Sequence, residues 1–185
     1  MHFDLVVFDL DETLIDSKLD LALSVNAARS NAGMPPLEHE RICSYVGNGA
    51  PTLIRRSLGP KASQEQVNLA LKFFYKYYRE HMLDNTMLYP GVQQVLDSLF
   101  DAKLALAILT NKPVRFSTIL VKKLGLAHHF HRIYGGNSFK SKKPDPYGLY
   151  HLMMELKIPK NRTLMVGDSS VDIKTARNAG IASCG

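Results

Sequence analysis

Cysteine is scarce in this chain of 185 residues: Cys43 and Cys184 are the only two, they lie far apart, and they form no Cys-x-x-Cys. That argues against a disulfide framework and a thiolate zinc site, and it favours a reducing, intracellular setting. Long apolar runs are missing as well. No stretch approaches the roughly 18 residues that a spanning helix needs, and the N-terminus lacks a basic segment followed by a long apolar run. We therefore expect a soluble, cytoplasmic protein with no membrane partner. Repeats and low-complexity segments are also absent. The net charge of +6 is not concentrated anywhere: basic residues are spread along the chain, and "KSKK" (Lys140 to Lys143) is the one tight group. A nucleic-acid surface would need a stripe or patch, so no nucleic-acid partner is expected. The surplus implies a mild attraction to anions and would suit a small phosphorylated metabolite equally well.

What is present is an alternation of short apolar runs with helical patterns at both ends of the chain. "FDLVVFDL", "LALAILT" (Leu104 to Thr110) and "TLMVGD" (Thr163 to Asp168) read as strands. Between them, Val92, Val95, Leu96 and Leu99 follow the spacing of one helical face, with Pro90 near the start. Phe116, Ile119, Leu120 and Leu124 do the same before Gly125, as do Leu149, Leu152, Met153 and Leu156 before Pro159. Strands joined through amphipathic helices imply right-handed crossovers, hence an α/β fold with a Rossmann-like parallel sheet whose functional edge lies at the strand C-termini. A chain of this length suits one domain, or one domain with a smaller insertion, burying roughly 70% of its unfolded surface.

Residues 17–88 break the rhythm, with helical patterns and turns but no convincing strand. We read them as an all-helical module inserted after the first strand, so that 1–16 and 89–185 form the core domain. Leu19, Ala22, Leu23 and Ala27 form a weak stripe ending near Gly33. A stronger helix begins at Ser63, where Ser63 and Gln66 have the spacing of a capping box, and its stripe is Val67, Ala70, Leu71, Phe74 and Tyr78. Within "FFYKYY" we expect core packing rather than a substrate-facing role. An apolar segment after Gly180 starts another strand, and the sheet is expected to lack a last strand and helix.

Asp9 and Asp11 sit two apart just past the first strand. Two carboxylates this close repel unless a divalent cation or a lysine is nearby. Asp168 follows the third strand with Asp172 one helical turn on, and Lys143 stands in "KKPDP". An all-oxygen ligand set of this kind favours a hard cation, and Mg²⁺ is expected. The second strand ends in Thr110 and Asn111, where a hydroxyl and freed N–H groups can bind phosphate oxygens. Each feature alone has an ordinary explanation, as a turn, a helix cap or a solvated lysine. Their joint occurrence and order do not.

Taken together, "DLDETL", "LTN", "KPDP" and "GDSSVDIKTARNAG" resemble the four motifs of the haloacid dehalogenase superfamily of phosphohydrolases, over nearly the whole chain. The insertion resembles that superfamily's small helical cap, and "YVGNGAPTLIRRSLG" (Tyr45 to Gly59) is similar to the cap stretch of phosphoglycolate phosphatases. The resemblance implies that Asp9 is the nucleophile and Asp11 the general acid and base, with Thr110 and Lys143 on the transferring phosphoryl group and Asn111 beside them. It implies Mg²⁺ bound by Asp9 and Asp168, by the main-chain carbonyl of Asp11, and with Asp172 in support. For the substrate it implies a phosphomonoester such as 2-phosphoglycolate, met by the Gly47-Asn48-Gly49 turn and by Arg56, or its neighbour Arg55.

Glu12 departs from the family's usual glycine after the general acid, and as a surface glutamate it is expected to point away. His128, His129 and His131 form a visible cluster, but no carboxylate or cysteine stands at ligand spacing, so metal binding there is not expected. The alternatives within the superfamily are a sugar-phosphate phosphatase, a pyrophosphatase or a phosphomutase. The non-enzymatic alternative is a receiver-type phosphorylation switch, against which the motif order and the helical insertion argue. A monomer or a homodimer is expected.

Overall fold

The computed structural model describes residues 2–185. The chain divides into two compact units, one built from the residues up to Asp16 together with Leu88–Gly185, the other from Ser17–Met87.

The first unit is an α/β layer structure. Its strands are β1 (Leu5–Phe8), β4 (Ala105–Leu109), β5 (Arg132–Tyr134), β6 (Thr163–Val166) and β7 (Ala182–Cys184). They form one sheet in the order β5-β4-β1-β6-β7, parallel at every junction. Helices α5 (Val92–Asp101), α6 (Val114–Lys123), α7 (Tyr147–Leu156) and α8 (Ser170–Ala179) make the crossovers. Alternate residues of each strand face opposite sides. Leu5 and Val7 join Ala107, Leu109 and Met165 in a core with Leu149, Leu152 and Met153 of α7 and Ala176 and Ala179 of α8. Val6, Phe8, Leu106 and Ile108 are buried on the other side. The central strands β1 and β4 are short and wholly apolar because both faces are covered. The segment after Gly180 is β7, as expected, and it pairs with β6 in register from Leu164↔Ala182 to Val166↔Cys184.

Strand order is what positions the site. From central β1 the chain steps outward to β4 and β5, then returns across β1 to add β6 and β7 on the far side. Neighbouring connections therefore part at the C-terminal end of β1, which leaves the crevice where α/β sheets bind ligands.

The second unit contains α1 (Lys18–Asn31), α2 (His39–Cys43), α3 (Ala50–Leu58) and α4 (Gln64–His81), and the short strands β2 (Ile15–Asp16) and β3 (Met87–Leu88) pair where the chain crosses. The expected capping box is present, with the Ser63 hydroxyl accepting from the N–H of Gln66. Val67, Ala70, Phe74 and Tyr78 are buried along α4, and the Phe74 and Tyr78 rings stack with centroids 5.5 Å apart. The α1 stripe differs from expectation. Its buried side is Leu21, Ala22, Val25 and Ala28, while Leu19 and Leu23 are exposed. Part of the reason is polar. Asp20 and Arg29, which no apolar count would place inside, are buried on this helix by bonds that include backbone groups, and they occupy part of its inward side. On α5 only Leu96 of the expected stripe is fully covered, and Val95 is exposed. Among the described residues no helix is long and apolar enough to cross a membrane.

Candidate active site

Four chain segments converge at the C-terminal edge of the sheet. Asp9 follows β1 and continues the ladder, its N–H donating to the carbonyl of Val166 at 2.9 Å. Its carboxylate is buried, accepts the N–H of Leu10 at 2.7 Å, and meets the Lys143 ammonium at 2.9 Å. The same ammonium reaches Asp172 Oδ1 at 2.5 Å, so one lysine bridges two carboxylates. Asp172 has no exposed surface; the N–H and hydroxyl of Ser169 hold its other oxygen at 3.1 and 2.5 Å. Asp172 stands at the third position of α8, where a carboxylate satisfies a helix N-terminus, so one side chain serves as both cap and counter-charge.

Gly167 makes room for this arrangement. A Cβ there would stand 2.3 Å from Asp172 Cγ, an impossible contact, so only glycine lets the strand end pass over the buried carboxylate. Asp168, next in the chain, is exposed, and the Thr13 hydroxyl donates to its Oδ1 at 3.1 Å while accepting its N–H at 3.2 Å. The last residue of the "DLDET" run thus locks the first loop to the fourth motif.

Thr110 and Asn111 follow β4 and are buried. The Thr110 hydroxyl accepts from the N–H of Lys112 at 3.2 Å, and Asn111 Nδ2 donates to the carbonyl of Lys143 at 3.1 Å, fixing the lysine's loop. Lys112 went unread as a sequence feature. It is buried, and its ammonium sits 2.8 and 3.0 Å from the two oxygens of Asp11. The only sequence signal was position, a lysine directly after a strand-end Thr-Asn pair. Glu12 also differs from the expected outward glutamate: it has φ of 64° and is half-buried, with Tyr89 donating its hydroxyl to Oε2 at 2.6 Å. The left-handed backbone explains why glycine suits this position, and the tyrosine explains how a glutamate is held there.

The electrostatics follow from burial. Burial pushes the Asp9 carboxyl up to about 6; Lys143 opposes this and Asp172 adds to it. Burial lowers the Lys143 ammonium, but Asp9 and Asp172 more than compensate, and its pKa lies above the ordinary lysine value. Partial desolvation raises the Asp168 carboxyl although the residue is exposed, against its bond from Thr13. Lys143 alone therefore leaves the site short of positive charge. Carboxylate oxygens of Asp9, Asp168 and Asp172 lie within 4.8 Å of one another, an all-oxygen set that fits a hard divalent cation.

The chain from Val6 to Gly185 matches the family model for haloacid dehalogenase-like hydrolases. The chain belongs to that family. It is 41% identical, over 98% of its length and 84% of the relative's, to a phosphoglycolate phosphatase from Chromobacterium violaceum. A phosphoglycolate phosphatase from Haemophilus influenzae is 37% identical over the whole of this chain and 85% of its own. The crystal structure of a predicted phosphoglycolate phosphatase from Haemophilus somnus superposes with a TM-score of 0.95 at 32% identity, covering all of this chain and 85% of that one. This haloacid dehalogenase-like hydrolase is accordingly a phosphoric monoester hydrolase.

The residues expected to contact substrate from the helical unit are not gathered in the same way. Gly49 is the N-cap of α3 with φ of 80°, and Gly47 has φ of 108°. Arg56 lies seven residues further on, about 10 Å along the helix axis at 1.5 Å per residue. It lines a cavity of about 530 Å³ with Ser44, Tyr45, Arg55, Gly59 and Pro60. Arg55 is committed, donating to the carbonyl of Ala62 at 2.9 Å and to Gln64 Oε1. Arg56 is exposed.

Proposed function

We propose that this protein is a Mg²⁺-dependent phosphatase that works through an aspartyl-phosphate on Asp9, with 2-phosphoglycolate as its substrate. The observation that carries the mechanism is the buried Lys143 bridging Asp9 and Asp172, with Asp168 alongside, at the C-terminal edge of a parallel sheet. The substrate rests on the relatives, which are named for it.

In this reading Asp9 attacks phosphorus in line. The ester P–O bond breaks as the Asp9–phosphorus bond forms, and Asp11 gives its proton to the departing alkoxide. Water then attacks the same phosphorus, Asp11 takes back a proton, and phosphate leaves with Asp9 restored. Lys143 and the Thr110 hydroxyl hold the phosphoryl oxygens, and Asn111 fixes the Lys143 loop. A divalent cation held by Asp9, Asp168 and the Asp11 carbonyl, with Asp172 in support, would supply the positive charge that lets one anion approach another. Residues 17–87 serve as the cap, whose Gly47-Asn48-Gly49 turn and Arg56 select the substrate. Guanidinium suits a carboxylate bidentately, so Arg56 is the residue to meet the acid end of 2-phosphoglycolate.

The test is phosphate release from 2-phosphoglycolate, a panel of sugar phosphates, pyrophosphate and an aryl phosphate, with and without Mg²⁺. The expected outcome is metal-dependent release selective for 2-phosphoglycolate and abolished by Asp9→Asn. Turnover of another panel member alone would keep the mechanism and discard the substrate. A phosphorylated protein that does not turn over would replace both with a phosphorylation switch.

A further inference from the structure

The histidines at 128, 129 and 131 lack a carboxylate at ligand spacing along the chain, but the fold supplies one. Asp97 of α5 meets the 3₁₀ turn Ala127–His129, and ligand atoms of Asp97, His128 and His129 lie within 4.8 Å of one another. His131 is drawn away, its Nδ1 accepting the N–H of Leu106 at 3.4 Å.

His129 carries the argument. It is 1% exposed, with Nδ1 facing the carbonyl of Leu126 at 3.3 Å and Nε2 facing Asp97 Oδ1 at 2.7 Å. A carbonyl only accepts, so the Leu126 contact is a hydrogen bond in the tautomer that carries its proton on Nδ1. The lone pair of a neutral ring then points from Nε2 at a carboxylate oxygen. In that tautomer Nε2 and the half-exposed Asp97 carboxylate are two acceptors that a cation, either a proton or a metal ion, can bridge. An Nδ1–H anchored on a backbone carbonyl is also how proteins present Nε2 to a metal. His128 lies against His129 with ring centroids 3.9 Å apart and planes tilted by 37°, and it is exposed, offering a third donor open to solvent. Phe100 stands edge-on to both rings, at 6.2 and 5.8 Å, and closes the apolar side.

We propose that Asp97, His128 and His129 form a site for a transition-metal dication of the Zn²⁺ class, separate from the carboxylate site around Asp9. Two imidazoles and one carboxylate suit Zn²⁺, Ni²⁺ or Cu²⁺ rather than Mg²⁺. Bonds of about 2.0–2.2 Å place tetrahedral donors roughly 3.3 Å apart. The exposed side chains of Asp97 and His128 rotate to that spacing while buried His129 stays fixed. Three protein ligands leave one position for water. The ion ties α5 to the turn that precedes β5, so it acts as a staple on the core unit and takes no part in phosphoryl transfer.

The test titrates chelator-stripped, full-length protein with Zn²⁺ in excess Mg²⁺, which fills the carboxylate site, following stoichiometry and Tm. One equivalent is expected to bind, with a Tm that rises with Zn²⁺ concentration. His128→Ala and Asp97→Ala, both at exposed positions, should weaken Zn²⁺ at least tenfold and remove the Tm rise, while Asp168→Asn leaves both unchanged. Metal-free Tm values of the two variants show separately whether they fold. Absence of a Zn²⁺ equivalent in the wild-type chain, or binding that Asp168→Asn removes and His128→Ala does not, would overturn the proposal and leave His129 as an imidazolium paired with Asp97.

Discussion

Lys143 holds together the least comfortable charges in the molecule. Its side chain is 1% exposed, that of Asp172 is 0% and that of Asp9 is 11%. A buried ion triad adds little net stability, but removing one partner strands the others, at about 3–5 kcal/mol. Lys143→Met is therefore expected to lower unfolding stability by about that amount in denaturant titrations and to abolish turnover. Asp9 gives a pH signature with a definite sign. Its pKa in the fold, about 6, lies above the ordinary 3.8, so the folded state holds the proton more tightly than the unfolded chain. The contribution is full below pH 3.8, is lost as pH rises to about 6, and is absent above, a change on the order of 3 kcal/mol. In chelator, the stability difference between wild type and Asp9→Asn should move against the wild type from pH 4 to 7. Added Mg²⁺ should reverse that trend. At this scale the sequence disclosed the residue types and their order, and the resemblance implied their roles. It did not disclose that Lys143 spans two aspartates or that Glu12 is held by Tyr89, since those partners lie 29 and 77 residues apart along the chain.

Between elements, polar side chains do the joining. Asp20, in the first turn of α1, is buried and accepts from the N–H and side-chain amide of Asn85 and from the N–H and hydroxyl of Thr86, at 2.7–3.1 Å. Replacing it with alanine leaves those donors without their acceptor, so Asp20→Ala should lower stability by roughly 3 kcal/mol, read from the denaturant midpoint. Lys112 likewise joins the loops after β4 and β1 through Asp11. If it positions the general acid, Lys112→Met should slow hydrolysis of an alkyl phosphate by about tenfold to hundredfold. An aryl phosphate, whose leaving group needs little protonation, should be far less affected. A purely structural role would slow both alike. The capping box at Ser63 and the stripe of α4 were legible because they are local patterns of three and four residues. The buried side of α1 was not, because Asp20 and Arg29 are drawn inward by backbone groups distant in sequence.

For the whole molecule, local pattern and long-range placement divide the result. Apolar runs four or five residues long flanked by amphipathic helices bury both faces in a parallel sheet, so the alternation of patterns was enough to specify an α/β fold. Aspartates, threonine and lysine just past strand ends were enough to place those side chains at one edge of the sheet, because a parallel sheet brings those ends together. Strand order was not contained in any local pattern: β6 returns to pair with β1 because burial of the whole sheet, rather than any adjacent residues, selects that neighbour. The same long-range packing brings Lys112 to Asp11, Tyr89 to Glu12 and Asp97 to His129. Each of those pairs depends on side-chain directions that exist only once the helices have docked on the sheet, and for that reason none of them could be read from spacing along the chain.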